Sequence, residues 1–543
     1  MSNRYQNSEG DRQPGEAGMR QPAPSLKNES ARANTAGADH VNYRRARNWQ
    51  VILVAFNAVN LMGVTMLITQ ASYAANLGFG ISTLMVGSLL VFTRIFDAVT
   101  DPLLAFLYDR VNTRSGKIRP LLLLGWVIQS VGILSMFSWA AGKGFGVPMF
   151  LLTYMVYVIG YTIVNMTAKT IPPLMTNDPR QRPMLSGWNT ALSYLTPMVF
   201  SLIFNVVLLP RYGAPASGGA GGFVMNYSLD YLEKAAMFTV FTSFAGLLLC
   251  CIGVSSFDKT ENFIGMRPVR ERLKIQDMWE VLRHNRPLQA YIVAASTDSF
   301  AQNTSNAVIV ATMWSGILIG NMQLMTLLYL VWTIPSVLFV LLGSRYSAKQ
   351  GNRRAIMLWA RAGILASGLS ILYFVVLRNT VGIRAIGIFG LPMLLLILLQ
   401  FANTGSMMAG SAAGGAFLAD IVDFELDRSG NYVPAVVAGT FSLVDKVVSS
   451  FSSLLTSGMV ALVGYTQTVP QPGDMPTDGI FWVTMFLRYG VAILGWLFTL
   501  LAMRGCGLGK IEMAQIQKRI AQKKSELQAE QEGKREELKL PQK

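Results

Sequence analysis

Apolar residues along this chain come in blocks of about 20–30, each long enough to cross a hydrocarbon core roughly 30 Å thick. Short polar stretches divide them into twelve spans. These lie at approximately 49–76, 82–109, 119–140, 147–175, 184–210, 232–256, 288–314, 317–342, 355–378, 383–410, 435–465 and 479–504. A backbone in lipid has to satisfy its own hydrogen bonds, so spans of this kind are helices. The pattern predicts an all-α integral membrane protein with 12 transmembrane helices, arranged as two six-helix halves around a central cavity. Its segments are a disordered cytoplasmic N-terminal tail (1–48), a first bundle (49–256), a cytoplasmic linker (257–287), a second bundle (288–504) and a charged cytoplasmic C-terminal tail (505–543).

Charge fixes the predicted orientation. Lys and Arg number 18 in one set of alternate loops and 4 in the other, which places both termini and the linker inside. The net charge of +16 is thereby a matter of topology, and no nucleic-acid partner is expected. The first tail has too little apolar surface to order itself. The last tail carries Ile511, Ile516, Ile520 and Leu527 at loose helical spacing and reads as a solvated helix, with a partner-binding coiled coil as the sharper alternative. Within the linker, Ile275 to Leu282 is amphipathic: an inner-surface helix on anionic lipid, or a solvated connection.

Composition removes enzyme chemistry. Cys250, Cys251 and Cys506 have neither disulfide nor metal spacing, and the histidines are His40 in the tail and His284 in a basic loop. No nucleophile–base pair, zinc signature or phosphate loop is present, and no cofactor is expected. An internal repeat supports the six-plus-six division. At an offset of 235 residues, Arg110 faces Arg345, Arg114 faces Lys349, Gly116 faces Gly351 and Arg119 faces Arg354.

Charge inside the spans is scarce, and costs roughly 2.5–3.5 kcal/mol or more per group at mid-bilayer. The second span reads RIFDAVTDP, which puts Arg94, Asp97 and Asp101 on one helical face, the two carboxylates roughly 6 Å apart along the axis. That spacing suits two carboxylates sharing one cation, or held by a facing positive charge. Thr162, Asn165 and Lys169 share a face of the fourth span, Asp298 and Asn303 lie in the seventh, and Asp445–Lys446 in the eleventh. Lys446 is the best partner for Asp97 and Asp101 from the other half. A structural ion-pair network that only fixes packing is the competing reading, and Lys169 can instead snorkel to the interface.

RIFDAVTDPLLAFLYDRVNTRSGKIRP resembles the second-span signature of the glycoside–pentoside–hexuronide:cation symporters, the melibiose-carrier-like family of the major facilitator superfamily. FLADIVDFELDRSGNY followed by FSLVDKVVSS resembles that family's acidic loop and lysine-bearing eleventh span, and YTIVN ahead of NDPRQR is a third match. The resemblance implies a major facilitator fold and alternating access. It implies uptake driven by Na⁺, Li⁺ or H⁺, with the cation at Asp97, Asp101 and Thr162 (Asp97 and Asp101 binding the metal if the ion is sodium) and Lys446 as the neighbouring switch. The substrate positions depart from the family: Leu61 beside Asn60 replaces an aspartate, Asn165 another aspartate, Lys169 a tryptophan, and Thr190 stands near an arginine position.

The substrate-cavity candidates are therefore Asn57, Asn60, Tyr161, Asn165, Lys169, Trp188, Asp298 and Asn303, with Arg94 and Asp445 in the charge network. Arg110 and Arg119 with Asp420, Asp423 and Glu425 are candidates for an inner gate. The expectation is a monomeric multi-pass symporter of the inner (plasma) membrane, in contact with membrane lipid. It would carry a small-molecule substrate (a sugar, glycoside or sugar acid) with a monovalent cation. A lysophospholipid or other amphipathic-anion symporter on the same fold, and a non-transporting membrane sensor, are the alternatives.

Overall fold

A computed structural model of the chain describes residues 45–110, 116–176, 181–216, 225–258, 275–387, 389–430 and 434–537. The tail 1–44 and linker residues 259–274 lie outside them. In the first half, α1 (Asn48–Gly78), α2 (Thr83–Arg110), α3 (Ile118–Trp139), α4 (Gly146–Met175), α5 (Met184–Tyr212) and α6 (Leu229–Val254) run in sequence. A short α7 (Ile275–His284) follows. The second half holds α8 (Arg286–Ser305), continued by Val308–Leu318, then α9 (Met322–Gln350), α10 (Asn352–Asn379) and α11 (Leu391–Ser429). It closes with α12 (Pro434–Leu462), α13 (Asp478–Gly505) and the tail helix α14 (Lys510–Glu537).

Among the described residues, nine helices are long and apolar enough to cross a membrane. The remaining long helices in the two bundles, α2, α8 and α12, each carry an aspartate in mid-helix: Asp97, Asp298 and Asp445. Helix pairs approach closely through small residues, as lipid offers no hydrophobic drive for their association. At Gly160 of α4 an added Cβ would stand 2.2 Å from the Gln129 amide nitrogen of α3, so only glycine permits that crossing.

The buried apolar residues form three clusters. One, at the end of the bundle opposite the basic loops, is shared by both halves and includes Tyr73, Phe137, Tyr227, Trp314, Leu318 and Ile480. At the basic end each half has its own. Val51, Leu122, Leu174 and Val254 belong to the first half's cluster; Leu288, Phe417, Val437 and Met503 belong to the second's.

The repeated basic loops have matching construction. Gly116 and Gly351 both take left-handed backbone, φ +98° and +91°, just before α3 and α10 begin. In the first half the buried Asp258 carboxylate, beyond α6, accepts from the backbone amides of Lys117 (2.8 Å), Ile118 (3.0 Å) and Arg119 (2.9 Å), and from Arg119 Nε at 3.2 Å. A carboxylate at a helix N-terminus satisfies orphan donors and meets the positive end of the helix dipole. In the second half, Arg353 donates to the terminal carbonyls of α13, Met503 O at 2.8 Å and Arg504 O at 3.0 Å. In both, the chain leaving the sixth helix of the half holds the loop after its second.

Two expectations change. The stretch 411–434, read as a loop, is helical as far as Ser429, because Phe417 and Ile421 continue a buried stripe until Gly430 turns left-handed at φ +75°. The C-terminal tail is helical but its first turns are docked rather than solvated. Ile516 and Ile520 are buried in the second half's cluster, while Gln517 and Arg519 bond Asp423 and Asp427 of α11. Its partner is its own chain.

Candidate functional site

Asp97 stands where the two halves meet, since α2 packs along α12. Thr162 of α4 donates to its Oδ1 at 3.0 Å, and Lys446 of α12 donates to its Oδ2 at 3.1 Å. One carboxylate thus bridges three helices, with one oxygen committed to a neutral hydroxyl and the other to an ammonium. Thr162 is buried, whereas the Asp97 and Lys446 side chains keep 24% and 32% of their exposure. The pair is therefore accessible to a small cation, although neither side chain lines either of the two cavities found among the described residues. Away from bulk water, the attraction between such charges exceeds its value at a surface.

Asp101 follows one turn later on α2, but its side chain, like that of Arg110, lies outside the described residues. Arg94 is exposed and, among the described residues, makes no hydrogen bond or ion pair. Asp445 is half-buried, and its Oδ1 has no hydrogen-bond partner among the described residues. Tyr161 lies within 3.3 Å of Thr65 Oγ1 at the end of a row of rings with Tyr154 and Tyr157.

Two cavities adjoin, both touching Met62 and Ser193. The first, about 730 Å³, lies in the first half and is lined by Asn57, Asn165, Lys169, Ser186 and Asn189 among apolar residues. The Asn57 Oδ1 is buried without a donor among the described residues, and Lys169 is exposed. The second, about 630 Å³, opens between the halves and extends into the second, where Asp298, Gln302, Asn306, Gln400, Asn403 and Arg488 meet Trp332, Trp359 and Trp496. Thr499 donates to Asp298 Oδ1 at 3.4 Å.

Several sequence candidates lie off these walls. Asn60 is fully buried and accepts from Gln129 at 2.9 Å. Trp188 and Asn303 are exposed and line neither cavity, although their neighbours Asn189 and Gln302 do. The gate candidates bond within their own halves: Arg119 to Asp258, Asp420 to Asn352 at 2.7 Å, Asp423 to Gln517 at 2.7 Å. Glu425 is buried between Arg428 and Asn285.

The halves are instead joined at the end opposite the basic loops. The segment between α12 and α13 lies across the first half as a strap. Tyr73 Oη donates to Pro470 O (2.6 Å), Asn76 Nδ2 to Gln467 O (2.6 Å) and Thr83 Oγ1 to Thr468 O (2.7 Å). Inside the strap Tyr465 donates to Asp474 at 2.8 Å. Burial, and then the Asp474 carboxylate, hold the Tyr465 phenol well above its ordinary range, so it stays a donor.

With this end closed and a cavity running from Lys169 to Arg488, the geometry is that of a carrier facing its basic end. The family model described as MFS/sugar transport protein matches residues 51–506. The chain belongs to that family. This MFS/sugar transport protein is 31% identical over 175 residues to YagG of Escherichia coli K12, named as a candidate glycoside/cation symporter. That match covers 29% of this chain and 36% of YagG, about a third of its length. A glucuronide carrier protein homologue of the same organism is 24% identical over 470 residues, covering 84% of this chain and 91% of its own. The crystal structure of nucleoside transporter NupG superposes with a TM-score of 0.52 at 15% identity, over 85% of this chain and 100% of that one, which shows the shared fold.

Sequence reasoning passed over one cavity residue of this family member. Arg488 is the one charge in the interior of the twelfth span, Arg504 standing at its end, and an interior charge by itself marks a functional candidate. High mean hydropathy on either side hides it from a reading by span.

Proposed function

We propose that the chain is a cation-coupled symporter that carries a sugar, glycoside or sugar acid across the cytoplasmic membrane by alternating access, with both termini inside. The observation that carries this is Asp97, held by Thr162 of its own half and, across the half interface, by Lys446. A monovalent cation (Na⁺, Li⁺ or H⁺) that takes Asp97 loosens its bond to Lys446, which changes the charge balance between α2 and α12 and weakens their contact. Coupling follows because the cation binds one arrangement of that interface better than the other. Asp101, one turn away, is the second carboxylate available to the ion.

The family membership and the relatives' names support the sugar reading, and the basic loops support the orientation. Uptake into membrane vesicles under imposed Na⁺ and pH gradients, for the native protein and Asp97→Asn, tests it. Gradient-driven accumulation of a labelled glycoside in the native protein alone is expected. Equal accumulation by both, indifferent to either gradient, overturns the coupling role. Accumulation of lysophospholipid instead of sugar overturns the substrate class.

A further inference from the structure

Arg488 sits in the second cavity in an unusual electrostatic position. One guanidinium nitrogen, Nη1, donates to the Ser305 carbonyl at 2.9 Å, and the group lies over the Trp314 ring, 4.5 Å from its centroid. Its Nε and the adjacent Trp314 Nε1 are buried, meet no strict hydrogen-bond geometry among the described residues, and both turn toward the single Tyr489 hydroxyl. Among the described residues no carboxylate stands within ion-pair distance of it. On the same side Gln400 Nε2 already donates to the Tyr489 hydroxyl at 2.6 Å, so this corner is rich in donors and short of acceptors.

A guanidinium removed from water costs several kcal/mol unless it is paired, and a cation–π contact of about 0.5–2 kcal/mol offsets only part of that. The fork geometry of arginine matches the two coplanar oxygens of a carboxylate. Among the described residues, the only acidic side chain on the walls of this cavity is Asp298. It precedes Ser305 by seven residues on α8, roughly 10 Å along the axis. The cavity is therefore polarised, a cation at one end and an acid at the other. Between them Gln302 and Asn403 offer amides, and Trp359 and Trp496 offer apolar faces.

We infer that the cavity of the second half binds the carboxylate of a sugar acid, with Arg488 as the residue that selects uronides over neutral glycosides. The inference rests on the sugar-symport reading and adds the group that reads the substrate. The carboxylate completes the donors of Arg488, ring hydroxyls donate toward Asp298, and the ring's apolar faces lie on the tryptophans. Lys169, the other cation on a cavity wall, is exposed in the adjoining cavity and keeps its ammonium hydrated, so it has less to gain from an anion.

The test is uptake of methyl glucuronide and methyl glucoside into vesicles bearing the full-length chain, under an imposed cation gradient. The native protein is expected to show a KM about tenfold lower for the uronide, roughly 1.4 kcal/mol. Arg488→Gln raises the uronide KM by about tenfold and leaves that of the glucoside within about twofold, which also reports an intact fold. A preference unchanged in Arg488→Gln, or one for the glucoside in the native protein, overturns the assignment. So does loss of the preference in Lys169→Gln. Should Arg488→Gln accumulate neither sugar, Arg488→Lys decides: a loss confined to the uronide upholds the assignment, and one shared by both sugars overturns it. If the native protein accumulates neither sugar, the sugar-symport reading itself fails.

Discussion

At the end opposite the basic loops, side chains of the first half grip main-chain carbonyls of the second: Tyr73 on Pro470, Asn76 on Gln467, Thr83 on Thr468. At the basic end the strongest groups are turned inward to their own halves. Asp258 caps α3 of the first, while Asp420, Glu425 and Asp427 are taken up by α10, α8, α11 and the tail helix of the second. The apolar clusters divide the same way, one shared and two separate. Opening this end thus breaks few contacts, whereas opening the other requires the strap to let go. Asp97–Lys446 lies between the two zones, an ion pair that crosses from half to half.

The largest departure from this arrangement is expected on removing that pair's acid. Asp97→Asn removes the carboxylate that Thr162 and Lys446 share and with it a charged ligand for the cation, so gradient-driven uptake should fall by about a hundredfold. Downhill exchange of substrate should survive, and comparing the two rates in the same vesicles checks it. Next comes a within-half bond. Asp258→Ala strips the cap from three amides and the partner from Arg119, which should cost about 2–3 kcal/mol and lower the melting temperature of the purified protein.

Cutting the strap has a smaller effect and a different signature. Thr83→Val removes one strap bond worth about 1 kcal/mol, shifting the population toward opening at that end by about fivefold, and Asn76→Ala, which loses bonds to Gln467 and Val469, shifts it further. Spectroscopic distances between labels on the strap and on α1 would register the shift, with little change in melting temperature. Arg519→Ala should do least. Its bond to Asp427 is exposed, so loosened protease protection of the tail is expected without loss of uptake.

Much of the bundle is written in the spacing of apolar blocks, because in lipid the length of a block and the end of a helix are nearly one constraint. The exception shows why: α11 leaves the apolar zone and goes on, since a membrane boundary does not stop a helix and Gly430 does. The Asp97 site was legible because charges in such spans are rare and Arg94, Asp97 and Asp101 share a face. Cavity walls were less so. Asn57 and Asn60 are one turn apart on α1, yet one lines the cavity and the other is spent on Gln129; nothing in α1 itself says where α3 will stand. Likewise Gln302, Asn303 and Asn306 are all polar, and only packing decides that Asn303 faces away. Arg488 was present in the sequence as a lone intramembrane charge, and the hydropathy of its neighbours masked it.

Helix α11 runs 39 residues without a break. At 1.5 Å per residue that is about 58 Å, nearly twice the hydrocarbon thickness, so a long arm reaches beyond the hydrocarbon, its later turns packed in the second half's apolar cluster with α14 bound at its tip. Such an arm is a lever. If it pivots near its far end by about 10°, its tip sweeps about 10 Å, several times the displacement of side chains around the cavity. Under such a pivot the tail helix is carried with the tip, so a surface that restrained it would act on the carrier at the long end of the lever.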